Sequence, residues 1–223
     1  MPHCQQRSAL KLLGIIASLV MGGWLAAGLA PAQADDQTTI PPEKLFAPQA
    51  LPDIVEGKAD APVTIVEYAS MTCPHCARFH AETYPALLSK YVNTGKVRFI
   101  LREFPLDPRA AAAFMLARCA GDGDKRTAVI DLLFNSQQSW AESDKPLDTL
   151  SGLMRQTGMS AKDFDACLNN QSLYNNVIKE RDDAGKDFVI DATPTFFING
   201  KKYSGEISID ALSKIIDPLL AKK

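Results

Sequence analysis

Apolar and polar positions fall into distinct textures along this chain of 223 residues. No residue is charged from Leu12 to Ala34, and Arg7 and Lys11 stand just before that run. After a proline-rich stretch, Val63-Thr64-Ile65-Val66-Glu67-Tyr68-Ala69 is short, β-branched and mostly apolar, the pattern of a buried strand. A helix-like run from Pro74 to about Tyr91 follows and closes at Asn93 and Gly95. Val97 to Phe104 then predicts a second strand. Strand, helix, strand over this distance is a βαβ unit, whose two strands run parallel.

From Asp107 to about Gly185 the pattern is helical throughout. Ala110 to Ala120 is alanine-rich, and Lys125 to Trp140 has apolar residues at helical spacing. Leu147 to Gln156 ends at Gly158, Ser160 caps Ala161 to Asn169, and Leu173 to Lys186 is longer and charged. Strand character returns at Thr193-Pro194-Thr195-Phe196-Phe197-Ile198. Asn199-Gly200 turns the chain into Lys202-Tyr203-Ser204, and Ile209 to Leu220 closes it as an amphipathic helix. The predicted fold class is α/β, a small domain interrupted by an all-helical insertion. Its parts are 53–106 and 186–223, with the insertion at 107–185. Residues 35–52, with Pro41, Pro42, Pro48 and Pro52 among polar neighbours, predict a flexible tail.

Composition adds little to this picture: 46% hydrophobic and 22% charged residues describe an ordinary globular protein, not a disordered one. The formal net charge of −2 offers no basic stripe for nucleic acid or an anionic membrane surface. The amino-terminal run changes the picture more. It ends at Ala32-Gln33-Ala34, the small-x-small pattern a signal peptidase cuts, so residues 1–34 are expected to be a cleaved signal peptide. The rival is a retained membrane anchor, since Leu12 to Ala30 is long enough to span a bilayer. Gly22, Gly23, Gly28 and Pro31 weigh against a permanent helix. Cleavage removes Cys4 and leaves Cys73, Cys76, Cys119 and Cys167, an even number suited to an oxidising compartment. Of three possible pairings, 73–76 with 119–167 is the economical one.

The candidate chemistry sits at Cys73-Pro74-His75-Cys76. Pro74 suits the first position of a helix, which puts Cys73 at the N-cap, where free N–H groups and the helix dipole favour an anionic sulfur. His75 can add a donor or a positive charge. Both effects activate Cys73 and stabilise the reduced form, which makes the disulfide a better oxidant. Cys76 is then the buried partner. Other readings of the motif are a structural staple, unusual at a helix start, and a soft-metal site using His75 or His80, for which no second ligand pair has the right spacing. Covalent haem attachment is excluded, because Ala77 stands where it needs histidine.

With Thr193-Pro194-Thr195-Phe196-Phe197 downstream and a helical block between, Cys73-Pro74-His75-Cys76 after Glu67-Tyr68-Ala69-Ser70-Met71-Thr72 resembles the DsbA-type thiol:disulfide oxidoreductases. The resemblance covers nearly all of 53–223. It implies a thioredoxin-like fold and the introduction of disulfides into exported proteins. It also implies that Pro194 is a cis-proline against the cysteine pair, with Thr193 pairing with an extended substrate. Glu67 matches the family's buried acid, and a carboxyl there can relay the proton of Cys76; otherwise Glu67 is a strand residue in an ion pair.

Cys119 and Cys167 depart from the simplest members of that family, and are expected to staple two inserted helices or, alternatively, to form a second redox pair. His80 is expected on the surface, Phe79, Leu87 and Leu88 in the core, and Trp140 in packing. The expected function is dithiol oxidation in the periplasm or its extracytoplasmic equivalent. Its substrates would be unfolded exported proteins with free thiols, and by resemblance its reoxidant a quinone-linked membrane protein. No dissociable cofactor is implied, because the electrons reside on sulfur. Alternatives are a disulfide isomerase or reductase kept reduced by a membrane partner, and a dithiol metal-binding module.

Overall fold

The computed structural model describes residues 38–221. The signal peptide or anchor expected at 1–34 lies outside them, as do residues 35–37. Five strands form one sheet in the order β1-β3-β2-β4-β5, with β1 Ile54–Glu56, β2 Val63–Ala69, β3 Val97–Glu103, β4 Thr195–Ile198 and β5 Lys201–Ser204. β2 and β3 are parallel, as the βαβ reading requires, and the other pairings are antiparallel. β1 is too short for a periodic signature, and the sequence pattern did not reveal it.

The helices are α1 Pro42–Leu45, α2 over residues 74–92, α3 Pro108–Cys119, α4 Asp124–Asn135 and α5 Gln137–Ala141. They continue with α6 Pro146–Gln156, α7 Ala161–Leu168, α8 Gln171–Phe188 and α9 Ile209–Leu220. Ser160 caps its helix as expected, and Asp107, Asn170 and Ser208 likewise each accept a backbone N–H of the helix they open. Within α2, the wide turns Phe79–Thr83 and Leu88–Val92 interrupt the α-helical ones. Wide turns of this kind are frequent at functional sites.

Side chains alternate across the sheet. Ile65, Ala69, Phe99 and Phe196 join the core that holds α2, the inserted helices and α9. Val66, Tyr68, Ile100 and Phe197 face a smaller core with Phe188 from the end of α8. By the same alternation, Glu67 points with Ile65 towards α2, so a strand residue is carried under the active-site helix.

Residues 38–52 are not the flexible tail their prolines predicted. Ile40, Leu45 and Leu51 are buried, and Thr39 bridges Lys201 along the edge of β5. The turn there requires Gly200, whose φ is +85° and whose Cβ would meet Ile40 O. Buried Arg102 holds Asp53 at 2.7 and 3.1 Å, Tyr68 Oη at 2.8 Å and Leu45 O at 2.8 Å. Ala50 N donates to Glu180 Oε2 at 3.0 Å, and Arg118, paired with Glu103, donates to Pro52 O. Burial, and then the neighbouring Glu103, push the Glu180 carboxyl up to about 7. Proline and polar composition misread this segment because its partners lie far away in sequence.

Cys119 and Cys167 form a disulfide between the end of α3 and α7, with Cα atoms 6.1 Å apart and a sequence separation of 48. Closing a loop of that length stabilises the folded state by about 4 kcal/mol in the chain-entropy model. Replacing both cysteines with alanine is expected to cost that order of stability in denaturant unfolding. The reduction potential of the Cys73–Cys76 pair should stay in place. A shift of that potential by about 30 mV or more, a tenfold change for two electrons, would make the disulfide a regulator instead of a staple.

Candidate active site

The loop after β2 delivers the cysteines. Cys73 N donates to Ser70 O at 3.1 Å, while Ser70 Oγ receives Leu106 N at 3.2 Å. Thr72 Oγ1 donates to Asp107, the N-cap of α3. From the insertion, Gln137 Nε2 donates to both Met71 O and Cys73 O at 2.9 Å. The helical block therefore fixes the carbonyls of the active loop. No local sequence signal marks Gln137 for this role.

Cys73 is the N-cap of α2 with Pro74 as first helical residue, as the motif predicted. Its thiol and that of Cys76 are both free. Cys73 is 6% exposed and Cys76 is fully buried, so only the first presents sulfur to a partner. The Cys73 thiol is lowered from 9.0 to about 5, chiefly by the Cys76 thiol donating to it, against the opposing effect of burial. Thr193 and the backbone N–H groups of Cys76 and His75 lower it further. As a thiol, Cys73 donates to Thr193 O at 3.1 Å. As a thiolate it accepts instead, and the buried Thr193 hydroxyl beside it has no hydrogen-bond partner among the described residues. Cys76 is driven the opposite way, well above 9.0, first by burial, then by its hydrogen bond to Cys73 and the charge of Glu67. Two thiols three residues apart are thus split into a thiolate and a protonated reserve.

Thr193-Pro194 is a cis peptide, as the resemblance implied, and its loop faces Cys73. Gly205 N donates to Pro194 O at 2.8 Å, which ties that loop to the segment after β5. His75 contributes its backbone N–H to Cys73, whereas its ring points outward. There its Nδ1 lies 3.2 Å from Glu206 Oε2, which also accepts Arg78 Nε at 2.7 Å. Glu206 was not foreseen.

Glu67 is fully buried and Oε2 lies 3.0 Å from His80 Nε2. Glu67 therefore has a buried histidine as its hydrogen-bond partner, and it acts electrostatically on Cys76. His80 corrects an expectation. It is buried, not on the surface, and stacks on Phe134 with ring centres 4.1 Å apart. Its position four residues after Cys76, on the same helical face, is the signal that places it there. Trp140 is buried and donates Nε1 to Leu133 O at 2.8 Å, a packing residue as expected. Among the described residues, no group of three or more His, Cys, Asp or Glu side chains is placed to hold a metal ion.

A thiolate-stabilised cysteine at a helix start, a buried partner and a cis-proline loop define a thioredoxin-type dithiol site. A thioredoxin family model matches residues 49–218. The α-DsbA1 structure of Wolbachia pipientis is 31% identical, with a TM-score of 0.75 over 81% of this chain and 96% of that one. A Rickettsia felis protein named as a protein-disulfide oxidoreductase is 32% identical over 86% of this chain and 72% of its own. Its Rickettsia conorii counterpart is 34% identical over 77% of this chain, which spans 61% of that relative's length. The fold is shared with BdbD of Bacillus subtilis, 23% identical at a TM-score of 0.68 over 83% of this chain and 98% of that one. The chain belongs to the thioredoxin family, among the DsbA-type thiol:disulfide oxidoreductases.

Proposed function

We propose that this protein is an exported dithiol oxidase that passes its Cys73–Cys76 disulfide to unfolded proteins carrying free thiols. The observation that supports this most is the split between the two sulfurs: Cys73 lowered to about 5 and Cys76 raised well above 9.0. A stabilised thiolate stabilises the reduced pair, and a pair that prefers to be reduced gives its disulfide away. A substrate thiolate attacks Cys73 Sγ, the Cys73–Cys76 bond breaks, and Cys76 leaves with the electron pair and takes a proton. A second substrate thiolate attacks the substrate sulfur of the mixed disulfide and expels Cys73 as a thiolate. Two electrons have then moved from substrate to enzyme. Thr193 and Pro194 offer backbone beside Cys73 for an extended substrate segment, in the manner of strand addition. A quinone-linked membrane protein would reoxidise the pair.

The oxidised protein, mixed in equal amount with a reduced unfolded polypeptide holding two cysteines, is expected to form that polypeptide's disulfide. A protein that leaves it reduced, yet reshuffles scrambled disulfides when itself reduced, would be an isomerase instead. Export is tested on the protein recovered from the periplasm, whose first residue is expected to be Asp35. Recovery in the membrane with Met1–Ala34 attached would indicate the anchor.

A further inference from the structure

Cys76 is fully buried and needs a proton each time it leaves the disulfide. Glu67 reaches towards it from β2, and Glu67 Oε2 is taken by His80 Nε2 at 3.0 Å. Two buried polar atoms of this pair have no partner, Glu67 Oε1 and His80 Nδ1. An apolar core does not retain such atoms without cause. Phe79 and Phe134 pack against the imidazole. The charged or titratable groups around it are Glu67 from β2, Cys76 and Tyr84 from α2, and Asp131 from α4. Tyr84 is committed elsewhere, since its hydroxyl donates to Glu56 of β1. Asp131 is half-buried and lies one helical turn before the Phe134 that stacks on His80, on the same face of α4, and its charge acts on His80 and Glu56. It lines a solvent-open cleft with Glu56, Val92, Asn93, Asp124 and Thr127. That cleft includes none of Cys73, His75, Thr193 or Pro194.

We propose that His80 conducts protons between Glu67 and the Asp131 cleft, so that the proton of Cys76 travels away from the face where substrate binds. As a dithiol reduces the pair, Cys76 takes the proton on Glu67 Oε1. The Nε2 proton of His80 replaces it while Nδ1 receives one from the cleft. On reoxidation by a disulfide-bearing or quinone-linked oxidant, Cys76 returns its proton to Glu67, Nε2 takes it, and the Nδ1 proton leaves. Each full cycle therefore restores the tautomer without a ring flip. His80 and Asp131 act through Glu67 and are positioning residues. The proposal rests on dithiol–disulfide exchange at Cys73–Cys76, whichever way net transfer runs.

The test is single-turnover reduction of the oxidised protein by dithiothreitol across pH, in dilute buffer, for the wild type, His80→Gln and Asp131→Asn. Glutamine keeps a donor for Glu67 Oε2 yet cannot pass a proton across its side chain. His80→Gln is expected to slow reduction about a hundredfold, the low end of what acid–base assistance supplies, and to change its pH profile. Asp131→Asn is expected to slow it in the same direction, and concentrated imidazole to restore part of the rate. The Cys73 titration should stay put in both variants. Wild-type rates and pH profile in His80→Gln would overturn the conduit, as would an unaffected Asp131→Asn. Should His80→Gln not fold, the half-buried Asp131→Asn decides alone. A wild type inert to dithiothreitol would sink the exchange chemistry itself, whereas a reactive wild type with unaffected variants sinks only the conduit.

Discussion

Replacing Cys76 with serine removes the disulfide the protein donates, so Cys73 of the variant is expected to attack disulfide-bearing partner proteins. It expels one of their sulfurs as a thiolate and leaves those partners bound to it through a mixed disulfide. In the native pair, Cys76 is the nucleophile that reopens a mixed disulfide from inside the protein, and it stands beside Cys73 in the first turn of α2. Serine keeps the shape and loses that nucleophile, so release falls to outside thiols. The accumulated species should carry one reducible bond per protein and disappear on adding reductant. Cys73→Ser is expected to form none and to lose exchange altogether. Mixed disulfides forming through the serine variant of Cys73, or none forming through Cys73 in Cys76→Ser, would contradict the assignment of nucleophile and reserve thiol.

The second large effect is a thiolate at acid pH. Ultraviolet titration of the reduced protein is expected to show one group ionising near pH 5, absent from Cys73→Ser, where an ordinary cysteine would titrate at 9.0. The sign for stability follows from the lowered value. The folded state binds fewer protons than the unfolded one between the two values, so Cys73 contributes stability in full above about pH 9. That contribution is lost as pH falls through about 5. The oxidised protein has no such group, and the advantage of the reduced form should shrink towards acid. Between pH 5 and the ionisation of Cys76, reduction consumes two electrons and one proton. The potential should then fall by about 30 mV per pH unit, and by about 60 below pH 5. A slope near 60 throughout would mean that Cys73 is an ordinary thiol.

Much of the site could be read from residues because its chemistry is local. The spacing of Cys73 and Cys76, Pro74 as helix opener and the strand before them all lie within fourteen positions, Val63 to Cys76. Strand alternation carries Glu67 to the same side, and the even count of cysteines after residue 34 left Cys119 and Cys167 to each other. What escaped depends on distant partners. Gln137 reaches Met71 and Cys73 across more than sixty positions, and a glutamine after a helix break looks like any surface amide. Glu206 meets His75 only because β5 returns the chain to the active face. His80 was legible but overlooked: Cys76, His80, Tyr84 and Leu87 form one helical face, and all four are buried. Polarity outweighed periodicity there. At residues 38–52, prolines outweighed Ile40, Leu45 and Leu51 in the same way.

The central claim is that the fold holds Cys73 as a thiolate so that the Cys73–Cys76 disulfide is an oxidant. Its most direct test is the reduction potential of that pair, equilibrated against glutathione. The account predicts a value towards the oxidising end of the family, about −120 mV for DsbA itself, whereas a value near the thioredoxin figure of about −270 mV would contradict it and make the protein a reductant.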